Sequence, residues 1–133
     1  MKSRHILICC IFILTLASAV KSQNPSWSEK LAETVMKKWP DSLNETAGRP
    51  VKWNYGQGVV LEGIAGIWKR TAEGKYFDYV QKSMDFFVRD DGTIRRYELK
   101  EYNIDNIKNG KLILLLYKVT GKEKYLKAAT LLR

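Results

Sequence analysis

The sequence predicts an all-α fold assembled from αα-hairpins, part of a helical ring rather than a complete one. Three observations carry that expectation. Two stretches, Val59–Trp68 and Leu112–Tyr117, are apolar almost all round, the pattern of helices buried on most sides. Each is followed, across a short connector, by a segment whose apolar residues recur at one-sided helical spacing, which reads as an amphipathic helix. The two units also superpose without a gap when the chain is slid along itself by 49 residues. Stacked hairpins of this kind are the signature of helical arrays and closed toroids.

The N-terminal residues stand outside that fold. Met1-Lys2-Ser3-Arg4-His5 is basic, and Ile6–Ala19 is an apolar run of fourteen residues. Ala17-Ser18-Ala19 fits an A-x-A cleavage pattern, with Val20-Lys21-Ser22 a second candidate. A helix needs roughly 20 apolar residues to span a bilayer, so residues 1–22 read as a secretory signal peptide. The expectation is an exported protein, periplasmic or secreted, whose folded part is 23–133 and which has no membrane association once the leader is removed. Cys9, Cys10 and the single histidine, His5, leave with that leader. The mature chain then folds without disulfides, and histidine-based catalysis and a histidine-ligated metal are excluded within it. Loss of Lys2, Arg4 and Lys21 lowers the formal charge from +9 to +6. A positive surface suits an acidic partner. Basic runs do not exceed pairs such as Lys37-Lys38 and Arg95-Arg96, so nucleic acid is not expected and an acidic carbohydrate is the natural partner.

In the mature chain, Ser26-Trp27-Ser28-Glu29 is a capping-box pattern. Leu31, Val35, Met36 and Trp39 fall at helical spacing and predict a helix over 27–39 that Pro40 ends. Asp41–Pro50 reads as a polar loop; its Asn44-Glu45-Thr46 would accept a glycan only in a eukaryotic secretory pathway. The first buried helix follows Trp53-Asn54-Tyr55-Gly56-Gln57-Gly58. Gly56, Gly58, Gly63 and Gly66 each weaken it by about 1 kcal/mol relative to Ala, which implies close approach of neighbouring backbones. Thr71-Ala72-Glu73-Gly74 connects it to a one-sided helix carrying Tyr76, Phe77, Val80, Met84 and Phe87. Asp90-Asp91-Gly92-Thr93 is a tight turn between Phe87-Val88 and Ile94–Tyr97, a short hairpin pattern. Ile107–Val119 predicts the second buried helix, Gly121 its C-terminal cap, and Tyr125, Leu126, Ala129 and Leu132 a last amphipathic helix. Two buried helices do not close a ring and the last pattern is unfinished, so the expected whole protein is roughly 2–3 times longer.

Within the repeat, Asn54, Ile64, Lys69, Thr71, Lys75 and Tyr76 meet identical residues at Asn103, Ile113, Lys118, Thr120, Lys124 and Tyr125. Trp53 meets Tyr102, and Trp68 meets Tyr117. The period exceeds the 34 residues of tetratricopeptide repeats, and an inner ring of buried helices wrapped by an outer amphipathic ring accounts for the pattern. Trp53-Asn54-Tyr55 and Tyr102-Asn103-Ile104 then lie at equivalent mouths of two inner helices, where polar and aromatic side chains would line one pocket.

Asp105 is the acid at that level, and two readings are open for it. It is a helix N-cap, a role aspartate fills well at the positive end of a helix dipole, or it is a pocket carboxylate. The repeat sets it where Gly56 stands one hairpin earlier, so the fold does not demand an acid there, which favours the pocket. Trp53 and Tyr55 are either core aromatics or a rim on which a sugar ring stacks. Asn54 and Asn103 recur and read as structural, Gln57 is a weak candidate, and Asp90 and Asp91 are turn residues.

Taken together, Trp53-Asn-Tyr-Gly-Gln-Gly, Tyr102-Asn-Ile-Asp-Asn-Ile-Lys-Asn-Gly-Lys and Tyr117-Lys-Val-Thr-Gly-Lys-Glu-Lys-Tyr-Leu-Lys-Ala-Ala resemble the N-terminal part of the unsaturated rhamnogalacturonyl and glucuronyl hydrolases, glycoside hydrolase families 88 and 105. The likeness covers about 27–133. It implies a six-hairpin (α/α)6 barrel, incomplete in this chain. It also implies removal of a 4,5-unsaturated uronic acid from the non-reducing end of pectin-derived oligosaccharides. In that reaction a proton is added to C4 of the vinyl ether and water to C5; the resulting hemiketal opens and the glycosidic bond breaks. No metal or cofactor is implied. Asp105 matches the first of two family aspartates, and its position suits a supporting or water-orienting base. The second, in a His/Trp/Asp motif, is expected beyond Arg133, so this chain alone is not expected to be active. Tyr55 and Trp53 match the aromatic wall of the sugar site. The bland alternative is a non-catalytic helical-ring module that holds a sugar or a peptide.

Overall fold

The computed structural model describes residues 24–43 and 51–132; the expected leader and the Asn44-Glu45-Thr46 triplet lie outside them. Five α-helices account for most of these residues: α1 (Trp27–Lys38), α2 (Tyr55–Thr71), α3 (Gly74–Asp85), α4 (Gly110–Thr120) and α5 (Glu123–Leu131). Short 3-10 turns, Leu99–Glu101 and Ile104–Ile107, precede α4. Among the described residues there is no β-strand, only one antiparallel bridge between Val88 and Ile94 where the sequence suggests a hairpin. The turn it closes is the expected one: Asp91 accepts hydrogen bonds from the Thr93 amide and hydroxyl, and Gly92 takes a left-handed φ of 88° against the backbone of α5.

Helix α1 begins with the full capping box, Ser26 and Glu29 each accepting from the other's backbone amide. Its one face packs on the hairpin α2–α3. Arg70 reaches from the end of α2 to Glu29 (3.3 Å) and Ser26, while Tyr79 of α3 donates to the Trp39 carbonyl at 2.9 Å. The hairpins α2–α3 and α4–α5 then stack through a shared core that includes Leu61, Ile64, Val80, Met84, Phe87, Ile113, Leu116 and Tyr125.

The repeat has a physical content at the outer helices. Tyr76 donates to Glu33 of α1, and Lys75 pairs with the same carboxylate at 2.7 Å. One hairpin later Tyr125 donates to Asp85 of α3, and Lys124 pairs with it at 2.9 Å. The identical Lys-Tyr dipeptide thus fastens each outer helix to a carboxylate of the outer helix before it. Its tyrosine rings are fully buried, which leaves the hydroxyl a charged acceptor where an unpaired one would cost roughly 1–3 kcal/mol.

Two expectations are corrected. The second inner helix starts at Gly110 rather than Ile107. In a continuous α-helix the Asn106 carbonyl would receive the Gly110 amide; here it accepts the Trp53 indole N–H at 2.7 Å. The preceding residues wind instead as a 3-10 turn capped by Asn103, whose Oδ1 accepts from the Asp105 amide. The glycines of α2 also differ from one another. A methyl group on Gly58 would collide with Oδ1 of the buried Asn109, whose amide donates to the Asn54 carbonyl at 3.2 Å, so here helices do approach closely. Gly63 and Gly66 meet nothing within 4 Å. With Val59 they lie on a side of α2 that the described residues leave open.

Candidate functional site

The two mouths are brought to one place by three bonds between α2 with its entrance and the segment that leads into α4. Trp53 donates to Asn106, Asn109 donates to Asn54, and Lys108 pairs with Glu62. Asn54 caps α2 by accepting from the Gln57 amide at 2.9 Å, so the two asparagines that recur in the repeat are both helix-entrance caps. Gln57 is buried and donates to the Leu43 carbonyl, a structural placement.

Between these mouths lies an open cleft of about 610 Å³, lined by Tyr55, Ile104, Asp105, Ile107, Lys108, Lys111, Leu114 and the end of α5. Tyr55 and Asp105 therefore share one cavity although 50 positions separate them in sequence. Tyr55 leaves half its surface exposed, enough for a ring face to meet a ligand.

Asp105 lies in the first turn of the 3-10 segment, with Asn103 as the cap of that turn and Asn109 at the N-cap position of α4. Among the described residues, no hydrogen bond or ion pair engages the exposed Asp105 carboxylate, so it caps neither element. An N-cap must give its side-chain oxygen to a backbone amide; Asn103 does this and Asp105 does not.

Trp53 is a correction. It is 3% exposed, packs edge-on against Phe87 with ring centroids 5.5 Å apart, and its indole N–H is spent on Asn106. It does not stand on the rim, and it is absent from the cleft lining. Its place in the core anchors the turn that presents Asp105.

Sequence reasoning passed over Lys108 and Lys111, which also line the cleft. Their spacing was a usable signal: Asp105, Lys108 and Lys111 recur every three residues, one side of a helical path. Glu62 behind them is held below the usual carboxylate range, chiefly by its hydrogen bond from Lys108 and further by the Lys108, Lys111 and Lys69 charges. Asp90 and Asp91 sit in their turn, away from the cleft lining. Among the described residues no group of three His, Cys, Asp or Glu side chains is placed to hold a metal ion, and no helix is long and apolar enough to cross a membrane.

Comparison with known proteins shows similarity to a family and to a solved structure. The sequence model of Glycosyl Hydrolase Family 88 matches residues 27–133. The fold is similar to that of a glycoside hydrolase from family 105 of C. acetobutylicum ATCC 824, with a TM-score of 0.69 and 41% identity over 82% of this chain. The chain spans 28% of the length of that structure. Its stacked αα-hairpins are accordingly part of an (α/α)6 barrel.

Proposed function

The chain belongs to glycosyl hydrolase family 88, and from that premise we propose that the complete protein is an exported hydrolase of unsaturated uronides. Its substrates are pectin-derived rhamnogalacturonan oligosaccharides carrying a 4,5-unsaturated uronic acid at the non-reducing end. The observation that carries the site assignment is the uncommitted Asp105 carboxylate in the same cleft as the half-exposed Tyr55. A carboxylate that, among the described residues, caps no helix and pairs with no cation is available to accept a proton from water.

In this reading the Tyr55 ring supports one face of the sugar. Asp105 orients the water that adds at C5 of the vinyl ether, and Trp53 keeps the Asp105 turn in register by holding Asn106. The proton to C4 comes from a second acid in the part of the barrel that these residues do not include. Hydration gives a hemiketal, which opens and releases the aglycone without displacement at C1. Water-orienting and general-base roles typically contribute 10²–10⁴-fold.

The test is Asp105→Asn in the complete protein. Hydrolysis of an unsaturated disaccharide, followed by loss of the double-bond absorbance, should fall at least roughly 100-fold with unchanged helical content. Wild-type turnover in that variant removes Asp105 from the reaction. If the complete wild-type protein binds the disaccharide without consuming it, the non-catalytic ring module is the correct description.

A further inference from the structure

The cleft beside Asp105 carries two cations, and they are not equivalent. Lys108 is committed: its ammonium is bonded to Glu62 and only 21% of its side chain is exposed. Lys111, in the first turn of α4, comes no closer than 3.8 Å to the same carboxylate and leaves 74% of its side chain exposed. Among the described residues, Glu62 is thus satisfied by one lysine, and the other keeps its ammonium donors free at the edge of the cavity.

An acidic sugar placed against Asp105 brings a second carboxylate into a cleft that already holds one. Two like charges a few ångströms apart repel strongly when water is partly excluded, unless a cation stands beside one of them. Of the two cleft lysines, Lys111 is the one with donors to give, and the positive end of the α4 dipole lies at the same point.

We propose that Lys111 is a specificity-determining residue that receives the carboxylate of a uronide ligand, so that the cleft selects an acidic sugar over its neutral counterpart. The assignment rests on the sugar-site reading above and adds to it the residue that reads the charge. Asp105 and Lys111 then divide the work: the first serves the reacting end of the sugar, the second contributes binding through its acid group.

The test compares an unsaturated uronyl disaccharide as the free acid and as its methyl ester, using the complete protein. Wild type should prefer the acid. In Lys111→Met the acid-over-ester preference in KM should shrink roughly tenfold, the value of one charge-assisted hydrogen bond, with kcat for the acid held within about twofold. Lys111→Arg, which keeps the charge, should restore most of the preference. An unchanged preference in Lys111→Met overturns the proposal, as does an equal loss in the Met and Arg variants. Failure of the functional reading looks different, since neither compound is then hydrolysed. In that event calorimetric binding of the same two compounds decides the matter. An acid preference lost in Lys111→Met upholds the assignment, and no preference in the wild type overturns it.

Discussion

The hairpins α2–α3 and α4–α5 resemble each other closely at one end and diverge at the other. At the connector end the equivalence extends to individual atoms. Thr71 donates to the Ile67 carbonyl and accepts from the Glu73 amide; Thr120 donates to Leu116 and accepts from Lys122. The Lys-Tyr pair that follows makes the same two bonds in each unit. At the mouth end, Trp53 is buried while its counterpart Tyr102 is 89% exposed, and Gly56 in the first turn of α2 answers to Asp105 in a 3-10 turn. The connector end is stacking machinery, and it repeats because every hairpin must dock on the one before. The mouth end docks the hairpins through bonds that do not repeat, Trp53 to Asn106 and Asn109 to Asn54, so its residues differ from one hairpin to the next and chemistry can be placed there.

The sharpest way to break this comparison is to truncate the two equivalent aromatics. Trp53→Ala removes a core ring and leaves the Asn106 carbonyl without its donor, and should cost about 3–5 kcal/mol. Tyr102→Ala should stay within about 0.5 kcal/mol. Urea denaturation followed by helical signal measures both. Similar costs at the two positions would mean that the repeat, rather than its divergence, governs the mouths.

A smaller effect separates the two Lys-Tyr fastenings. Tyr125 donates to Asp85 at 2.6 Å beside a Lys124 side chain only 16% exposed, whereas Tyr76 donates to Glu33 at 3.1 Å in a pair whose Lys75 and Glu33 side chains are about half exposed. Tyr125→Phe should therefore cost about 1.5–3 kcal/mol, the range for a hydrogen bond to a charged group, and Tyr76→Phe about 1 kcal/mol. The pH profile gives a second reading of the same difference. Burial first, and then the bond to Asp85, push the Tyr125 phenol well above its ordinary value; burial also raises Tyr76. In the unfolded chain a tyrosine ionises near ~10. The stabilisation is fully present below that pH and is lost as pH rises further, while the unfolded state ionises and the folded one resists. Tyr125→Phe should flatten this alkaline limb more than Tyr76→Phe, and equal flattening would erase the distinction between the two fastenings.

Legibility in the sequence follows the same division. Features fixed within a turn or two were readable: the Ser26–Glu29 box, the Gly121 cap and the paired asparagine caps all depend on neighbours in the chain. The repeat also made the convergence of Tyr55 and Asp105 predictable before any contact was known. Trp53 was not readable in this way. An indole next to Asn and Gly looks the same whether it lines a rim or fills a core, and its partner is a backbone carbonyl 53 residues on. The late start of α4 has the same origin, since it depends on where Trp53 and Asn109 find their acceptors. Lys111 escaped notice because a lone exposed lysine is usually only solvated surface; its meaning comes from Lys108 having already satisfied Glu62.

The smallest test lies at the connector end, where the two units make the same bonds but the helix-ending residue differs. Ala72 and Gly121 occupy the same place in the repeat, and both end their inner helix in the left-handed region, at φ 57° and 68°. Glycine adopts that region freely, whereas a residue with a Cβ is strained there by roughly 1–2 kcal/mol. The first hairpin tolerates the strain because the Ala72 amide still closes a bond to the Trp68 carbonyl at 2.7 Å, as the Gly121 amide does to Tyr117 at 2.8 Å. Ala72→Gly should therefore stabilise the protein by up to about 1 kcal/mol, less than the full strain because glycine also gains freedom in the unfolded chain. Gly121→Ala should destabilise it by about 1 kcal/mol, a mirror-image shift in the midpoint of thermal unfolding. If both substitutions moved stability in the same direction, the two connectors would not be the equivalent caps that their geometry describes.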